Sequence, residues 1–452
     1  MKITSVKNNW FKHSGQRLDA SYYLSDGVKT KRVIQELCPY GTVSLKDESL
    51  ELYKGNIHKR VYVPASKNGI PFYTASDLFK ANIEPEKYIS RKYSSYIDEL
   101  KIKDGWIFIT RSGTLGKVFF TNSDYEGKIG TDDLVRIKPK ENLIQGGFLY
   151  AFLSSKYGYG LLTQSGYGGV VKHIEPHHLE DMKIPIFPEV KQSKINKLII
   201  ESSNLRVLAN KFLKNAQNSL IKEIDYNEPE HYKNNVSIKT IFNSNQKRFE
   251  AECFISKGKR IRDYIKSLDH VLLKDASSDI YRPGIFKRHY VKKGLEFFGG
   301  GEIMKAIPQS DKKLSIVKTK HLEALKIEED QILVTCGGTI GHSVLVNRFL
   351  SGKAASQHIL RVNAKNIKTG YLFAFISSYL GFKSIQSFTY GSVIPTIEPH
   401  HLGLLPIPIL DDSIMNEIHK MIMEYKENIS LSIEKELKAI SLIEKEIEEW
   451  EK

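Results

Sequence analysis

One hexapeptide occurs twice in this chain. Ile174-Glu175-Pro176-His177-His178-Leu179 returns unchanged as Ile397-Glu398-Pro399-His400-His401-Leu402, 223 residues later. At the same offset GFLYAFLSSKYG (147–158) aligns with GYLFAFISSYLG (370–381), seven of twelve positions being identical, and Ile184-Pro185-Ile186 aligns with Ile407-Pro408-Ile409. Upstream the offset drifts, as small insertions produce. IFITRSGTLG (107–116) matches ILVTCGGTIG (332–341) at 225, and RLDA (17–20) matches RFEA (248–251) at 231. Collinear matches around an identical hexamer identify a tandem duplication, so any fold for this chain has to be built twice.

Each copy reads as a mixed α/β domain. The stretches 106–110 and 332–335 are β-branched and aromatic runs, read as strands, and each ends in a glycine turn, Gly113-Thr114-Leu115-Gly116 or Gly337-Gly338-Thr339-Ile340-Gly341. Further strands are expected at 117–121 with 134–138, and at 343–346 with 358–362. Apolar spacing predicts a helix over 147–162 and another over 370–385. Ile184-Pro185-Ile186 and Leu405-Pro406-Ile407-Pro408 read as edge strands, because proline cannot donate to a central ladder.

A different pattern follows each copy. Apolar or small residues fall at 195, 198, 202, 205, 209, 212, 216, 220 and 224, and the same steps of three and four run from 414 to 450. Such spacing predicts two long helices, each with one narrow coiled-coil-like seam. Asp411-Asp412-Ser413 supplies capping side chains where the second should start. The expected organisation is a first α/β domain (1–188), a central helix (189–225), a second α/β domain (226–410) and a C-terminal helix (411–452). If the helices pair antiparallel the molecule gains a pseudo-two-fold axis. A helix of ~35 residues spans roughly 50 Å, against about 34–36 Å for one turn of B-DNA, so the pair is long enough to space two reading heads over two half-sites.

Charge favours a polyanionic partner. Lys and Arg outnumber Asp and Glu by 67 to 52 in 452 residues, and neutralising phosphates releases counterions. Cys38, Cys253 and Cys336 have neither disulfide-framework nor zinc-site spacing. The opening residues lack the apolar core of a signal peptide, and no apolar run reaches membrane-spanning length, so a cytoplasmic protein without a membrane role is expected.

The order of elements, the RLDA-type opening with its aromatics (17–23), the TRSGTLG turn, the Tyr-Gly…Ile-Glu-Pro…Leu…Ile-Pro run and the long helix that follows all resemble specificity subunits of type I restriction–modification systems. The resemblance spans nearly the whole chain. It implies double-stranded DNA as ligand, N6-adenine methyltransferase subunits docked on the helices, and a translocating ATP-dependent nuclease subunit where restriction occurs. It also implies that S-adenosylmethionine, ATP and Mg²⁺ are bound by those partners and not by this chain. The copies depart from each other where RFEAECF (248–254) stands for RLDASYY (17–23) and where Cys336-Gly337 stands for Arg111-Ser112.

Candidate DNA contacts follow from residue chemistry. Arg111, Ser112 and Thr114 sit at a strand-to-turn junction that could hold a phosphate or a base edge, or be a plain hairpin turn. Gln164, Ser165, Tyr167 and Lys172, with Gln386, Ser387, Tyr390 and Ser392, lie in polar, glycine-bearing loops that differ between the copies, as altered readout on a shared scaffold would require. The basic segments 29–32, 257–262 and 287–293 are candidate phosphate contacts, or solvated surface charge. The His-His pairs at 177–178 and 400–401 suit a shared structural turn better than a metal site. No methyltransferase Asn/Asp-Pro-Pro-Tyr/Phe motif, FxGxG cofactor loop or P-loop is found. Asp77 with Glu99 and Lys101 can be forced into a nuclease-like pattern that the second copy lacks. The reading is therefore a recognition subunit with no catalytic site, the alternatives being the recognition subunit of another two-subunit methylation system, a self-contained endonuclease, or a protein scaffold with no DNA role.

Overall fold

The fold is that of a computed structural model, which describes residues 6, 23, 25–57, 59–95, 97–164, 173–229, 236–243, 252–391 and 393–452. Two compact units divide the chain. The first comprises Met1–Val207 with Leu431–Lys452, and the second Leu208–Ser430.

The first unit contains strands β1 (Thr42–Ser44), β2 (Ser49–Lys54), β3 (Tyr62–Val63), β4 (Gly69–Tyr73), β5 (Lys87–Ser90), β6 (Ile107–Thr110), β7 (Val118–Phe120), β8 (Ile129–Gly130), β9 (Leu134–Pro139) and β10 (Lys183–Pro185). Its main sheet is antiparallel in the order β2-β9-β6-β7. A smaller sheet runs β3-β5-β4-β8, with β4 and β8 parallel, and β1 pairs with β10. Every residue of β6 is buried because the main sheet is covered on both faces. Ile107, Ile109, Val135 and Ile137 face a helical layer that includes Phe148 and Phe152, while Phe108, Phe119 and Leu134 face Tyr73 and Leu78. Two-sided burial explains why these strands read as unbroken apolar runs and not as alternating ones.

The second unit repeats the plan with β11 (His270–Leu272), β12 (Ser277–Tyr281), β13 (Tyr290–Phe298), β14 (Lys313–Leu314), β15 (Ile332–Thr335), β16 (Ser343–Leu345), β17 (Ala354–Ala355), β18 (Ile359–Ala364) and β19 (Pro406–Pro408). The sheets run β12-β18-β15-β16, β14-β13-β17 and β11-β19, with β13 and β17 parallel. The registers match between units: Ile107 opposes Ile137 as Ile332 opposes Val362, and Tyr53 opposes Arg136 as Tyr281 opposes Arg361.

The single helix expected over 147–162 is two, Gly146–Ser154 and Lys156–Gln164, and the second copy likewise has Thr369–Ser377 and Tyr379–Gln386. Ser155 and Ser378 are extended (ψ 163°), and each hydroxyl accepts the amide three residues on, at 3.2 Å. A Cβ at Gly158 would lie 2.1 Å from Phe152 O, and one at Gly381 would lie 2.0 Å from Phe375 O. Glycine is thus required for the second helix to fold back onto the first.

The long helices are Glu189–Ile224 and Asp412–Trp450. Within the first unit their segments run antiparallel, since Lys191 pairs with Glu446 at 2.6 Å while Glu201 pairs with Lys435 at 2.6 Å. Ile195, Ile199, Ala439, Ile443 and Ile447 join the same core as Phe148 and Phe187. Buried at this junction, Ser202 Oγ donates to Ser432 O at 2.9 Å, Arg206 pairs with Glu436 at 2.5 Å, and the Tyr150 hydroxyl bonds to Glu436. Within the second unit Leu213, Ala216, Leu220 and Ile224 share a core with Ile418 and Ile422, and Phe373 stacks on Tyr425 at 6.1 Å. Each long helix therefore packs partly on the domain that precedes it and partly on the other. No helix among the described residues is long and apolar enough to cross a membrane.

Candidate nucleic-acid interface

In both heads the turn after the central strand is stitched to the repeated hexapeptide. In the first head the turn closes through Gly116 N to Thr110 O at 3.0 Å, with Gly113 and Gly116 in the left-handed region at φ 67° and 74°. The Thr110 hydroxyl donates to Thr114 O, and Ile174 N donates to Arg111 O at 3.1 Å. Arg111 then reaches two carboxylates, with Nε donating to Glu175 Oε1 at 3.0 Å and Nη1 to Asp133 Oδ1 at 3.1 Å, while the Ser112 hydroxyl bonds to Asp133. Lys54, at the end of β2, approaches Glu175 from the other side at 3.0 Å. Burial on its own pushes the Glu175 carboxyl up, but the hydrogen bonds from Arg111 and Lys54 outweigh it and hold the group below the usual glutamate range. Two cations thus face two carboxylates, and the Arg111 charge is neutralised from within.

The second head keeps the glutamate and changes its partners. Cys336, in place of Arg111, is fully buried, and burial pushes its thiol up to about 11. Glu398 instead accepts from Arg282 Nη1 at 2.5 Å and from the Tyr390 hydroxyl at 3.2 Å. Arg282 follows Tyr281 as Lys54 follows Tyr53, and those tyrosines oppose equivalent arginines, so the same strand end supplies the cation in both heads. The turn closes through Gly341 N to Thr335 O at 3.0 Å, and the loop 390–396 is pinned to it by Thr396 Oγ1 donating to Cys336 O at 2.8 Å.

The histidine pairs complete the hexapeptide turn. The Glu175 amide donates to His178 Nδ1 at 3.3 Å and the Glu398 amide to His401 Nδ1 at 3.4 Å. A ring nitrogen that accepts a backbone N–H is engaged in the turn itself, and burial holds the His178 ring below the usual histidine range. Among the described residues no group of three or more His, Cys, Asp or Glu side chains is placed to hold a metal.

The candidate contacts separate by position. Thr114 is exposed at its turn, and Gln386 accepts from Lys383 at 3.1 Å. Ser387 is buried, its hydroxyl donating to Ser384 O at 2.6 Å, and Gln164 Nε2 is buried beside Gly27. Tyr390 is half-buried over Glu398, with Val393 and Ile394 exposed beyond it. Ser165, Tyr167, Lys172 and Ser392 lie outside the described residues, as do most of 17–23 and 248–251. Of the basic segments, Lys29 pairs with Glu451 at 2.8 Å and Arg32 with Glu36 at 2.9 Å. Lys257 and Arg260 both hold Glu228, and Arg262 is buried over the Phe388 ring at 4.0 Å. Only in 287–293 do several cations, Lys287, Lys292 and Lys293, stand exposed with no ion pair among the described residues.

Among the described residues, no hydrogen bond or ion pair joins Asp77, Glu99 and Lys101 to one another. The Asp77 carboxylate caps a short helix by accepting the Thr74 amide at 2.9 Å and pairs with Lys80 at 2.9 Å, whereas Glu99 accepts from Asn56 at 3.1 Å and Lys101 pairs with Asp98 at 2.6 Å.

Lys54, Arg282 and the buried Arg136 and Arg361 are absent from the sequence-based candidates. Arg136 donates to the carbonyls of Gly130, Thr131 and Leu134 at 2.9 to 3.2 Å, and Arg361 to those of Leu325, Ala355, Ser356 and Ile359 at 2.6 to 3.2 Å. Burial pulls both guanidinium groups down to about 10, which leaves them charged at neutral pH. Each ties the main sheet to the smaller one from an equivalent position, and the shared 225-residue offset of the two arginines is the signal that could have found them.

The profile described as type I restriction modification DNA specificity domain matches this chain twice, over residues 34–206 and 279–441. Among solved structures the chain is similar to a type I restriction–modification S subunit from M. genitalium, with 13% identity over 90% of this chain and 94% of that one and a TM-score of 0.34. It is also similar to the HsdS subunit from Thermoanaerobacter tengcongensis, with 12% identity over 90% and 97% of the two chains and a TM-score of 0.29. No curated protein matches it.

Proposed function

Since this chain belongs to the type I restriction–modification DNA specificity family, its domain profile matching in two copies, we propose that each head reads one part of a two-part, asymmetric DNA target. The single observation that supports this most is the shared glutamate node with exchanged surroundings. Glu175 and Glu398 hold the cation at the equivalent strand end, Lys54 or Arg282, while Arg111-Ser112 in one head and Cys336-Gly337 in the other give the adjoining turn different chemistry. A rigid scaffold carrying divergent loops is how one fold addresses two sequences. Exposed lysines such as Lys287, Lys292 and Lys293 supply salt-sensitive affinity for the backbone.

The long helices dock N6-adenine methyltransferase subunits and, in a restricting assembly, a translocating nuclease. S-adenosylmethionine, ATP and Mg²⁺ are bound by those partners, and the recognition chain has no catalytic activity when isolated. Co-expression with an N6-adenine methyltransferase of a type I system from the same genome, followed by genome-wide mapping of N6-methyladenine, tests the whole reading. The expected result is a motif of two defined parts around an unspecified gap. Methylation at a continuous motif, or at none, overturns it.

A further inference from the structure

Residues 54–63 (KGNIHKRVYV) and 282–291 (RPGIFKRHYV) align at an offset of 228, and five of the ten positions are identical. The register fixes the equivalence. Tyr53 and Tyr281 precede the two segments opposite Arg136 and Arg361, and Ser90 N donates to Val61 O at 2.8 Å as Ser315 N donates to His289 O at 2.8 Å. Arg60 and Arg288 have a packing reason to recur, since each guanidinium lies over an equivalent ring, Phe72 or Phe297, at 5.4 Å. The isoleucines have no such reason: Ile57 is 89% exposed and Ile285 is 92% exposed.

A single exposed isoleucine is ordinary surface. One retained at the same loop position in two copies that differ at most others, two residues before an exposed lysine in each, is not accounted for by packing. A protruding apolar tip with cations beside it matches duplex DNA. Lysine meets phosphate, and the apolar side chain meets what a groove offers it, a thymine methyl or the face of a parted base step. An apolar protein groove would have no use for the surrounding charge, which includes Lys59, Arg91 and Lys92 in one head and Lys287 and Lys318 in the other. The neighbouring loop differs between heads. Where the first has Arg91 and Lys92, the second has Ile316 and Val317, the latter 94% exposed.

Resting on the reading of the heads as DNA readers, we propose that these loops are wedges: Ile57 and Ile285 each enter a groove of the target and part a base step, with Lys59 or Lys287 on the adjacent phosphate. The more apolar second head distorts its half-site more.

The test uses the full chain purified with its methyltransferase subunits and a duplex carrying the mapped target, with 2-aminopurine placed at successive positions. Fluorescence is expected to rise at one step in each half-site. Ile57→Ala should abolish the rise in one half only and Ile285→Ala in the other, each weakening binding about tenfold through the lost apolar contact, while Ile57→Leu keeps both properties. Both side chains are exposed, so the replacements leave folding intact. Fluorescence that stays flat throughout a specifically bound wild-type complex overturns the wedge, as do alanine variants that bind and distort normally. Alanine variants that fail to capture the methyltransferase in the absence of DNA also overturn it, by assigning the tips to a protein surface. If the wild-type complex does not discriminate the target at all, the underlying reading of the heads fails, and that result differs from every other.

Discussion

Arg282 Nη1 donates to Glu398 Oε1 at 2.5 Å, from the strand end that in the other head sends Lys54 to Glu175. The duplication has thus kept a charge relationship while changing the cation. In the first head a second cation, Arg111, joins from the turn. In the second its place is a buried thiol, and the Tyr390 hydroxyl takes over part of the contact.

Removing the glutamate should loosen the turn in its own head. Glu175→Gln leaves Lys54 and Arg111 facing a neutral amide and is expected to cost about 1–3 kcal/mol, at the lower end because the cations are partly solvated. The carboxyl titrates below its ordinary value in the folded head, so its stabilisation is complete above the unfolded glutamate value of about 4.3 and is lost as pH falls from there through the lower folded value. Hydrogen exchange of the first head, measured against pH in wild type and Glu175→Gln, should show an acid-sensitive step that the variant lacks.

Arg136→Lys and Arg361→Lys test the buried guanidinium groups. An ammonium cannot serve carbonyls spread around a planar fork, so each replacement strands backbone acceptors and should cost roughly 2–4 kcal/mol. Because the arginines sit in separate units, exchange protection should fall in one head and persist in the other.

Glu436→Ala leaves the largely covered Arg206 without its counter-charge and the buried Tyr150 hydroxyl without its acceptor. A loss of about 3–5 kcal/mol is expected, and the paired replacement Arg206→Met with Glu436→Leu should recover most of it, because the cost lies in stranding one charge and not in losing the pair. Denaturant unfolding followed by exchange at the first unit measures both.

Salt dependence separates surface cations from internally paired ones. Lys59→Ala or Lys287→Ala should each reduce the slope of log affinity against log salt by about 1. Arg111→Ala should change the slope little, since its charge already faces Glu175 and Asp133, and should instead lower the stability of the head. Titration of target binding over a salt series distinguishes the two outcomes.

The duplication and the mixed α/β heads were legible because the most similar segments are the structural ones: the hexapeptide turn, the strand before the glycine turn and the small-residue helix pair. The two long helices were legible from their seams. The break at Ser155 was not, because apolar spacing continues through it and only the crowding at Gly158 shows the fold-back. Arg136 and Arg361 were missed because arginine in a sequence reads as surface, while here backbone carbonyls replace water around it. Lys54 and Arg282 were missed because their offset, 228, lies between the two offsets visible upstream and downstream. Burial of Ser387 depends on how its helix ends against its neighbours, which composition does not record.

The first compact unit is closed by Leu431–Lys452, residues translated only after the second head is already made. A ribosome therefore releases the first head while its last layer is still missing, and a truncation that removes Leu431–Lys452 would injure the head made first. Assembly of the two reading units is coupled through time as well as sequence.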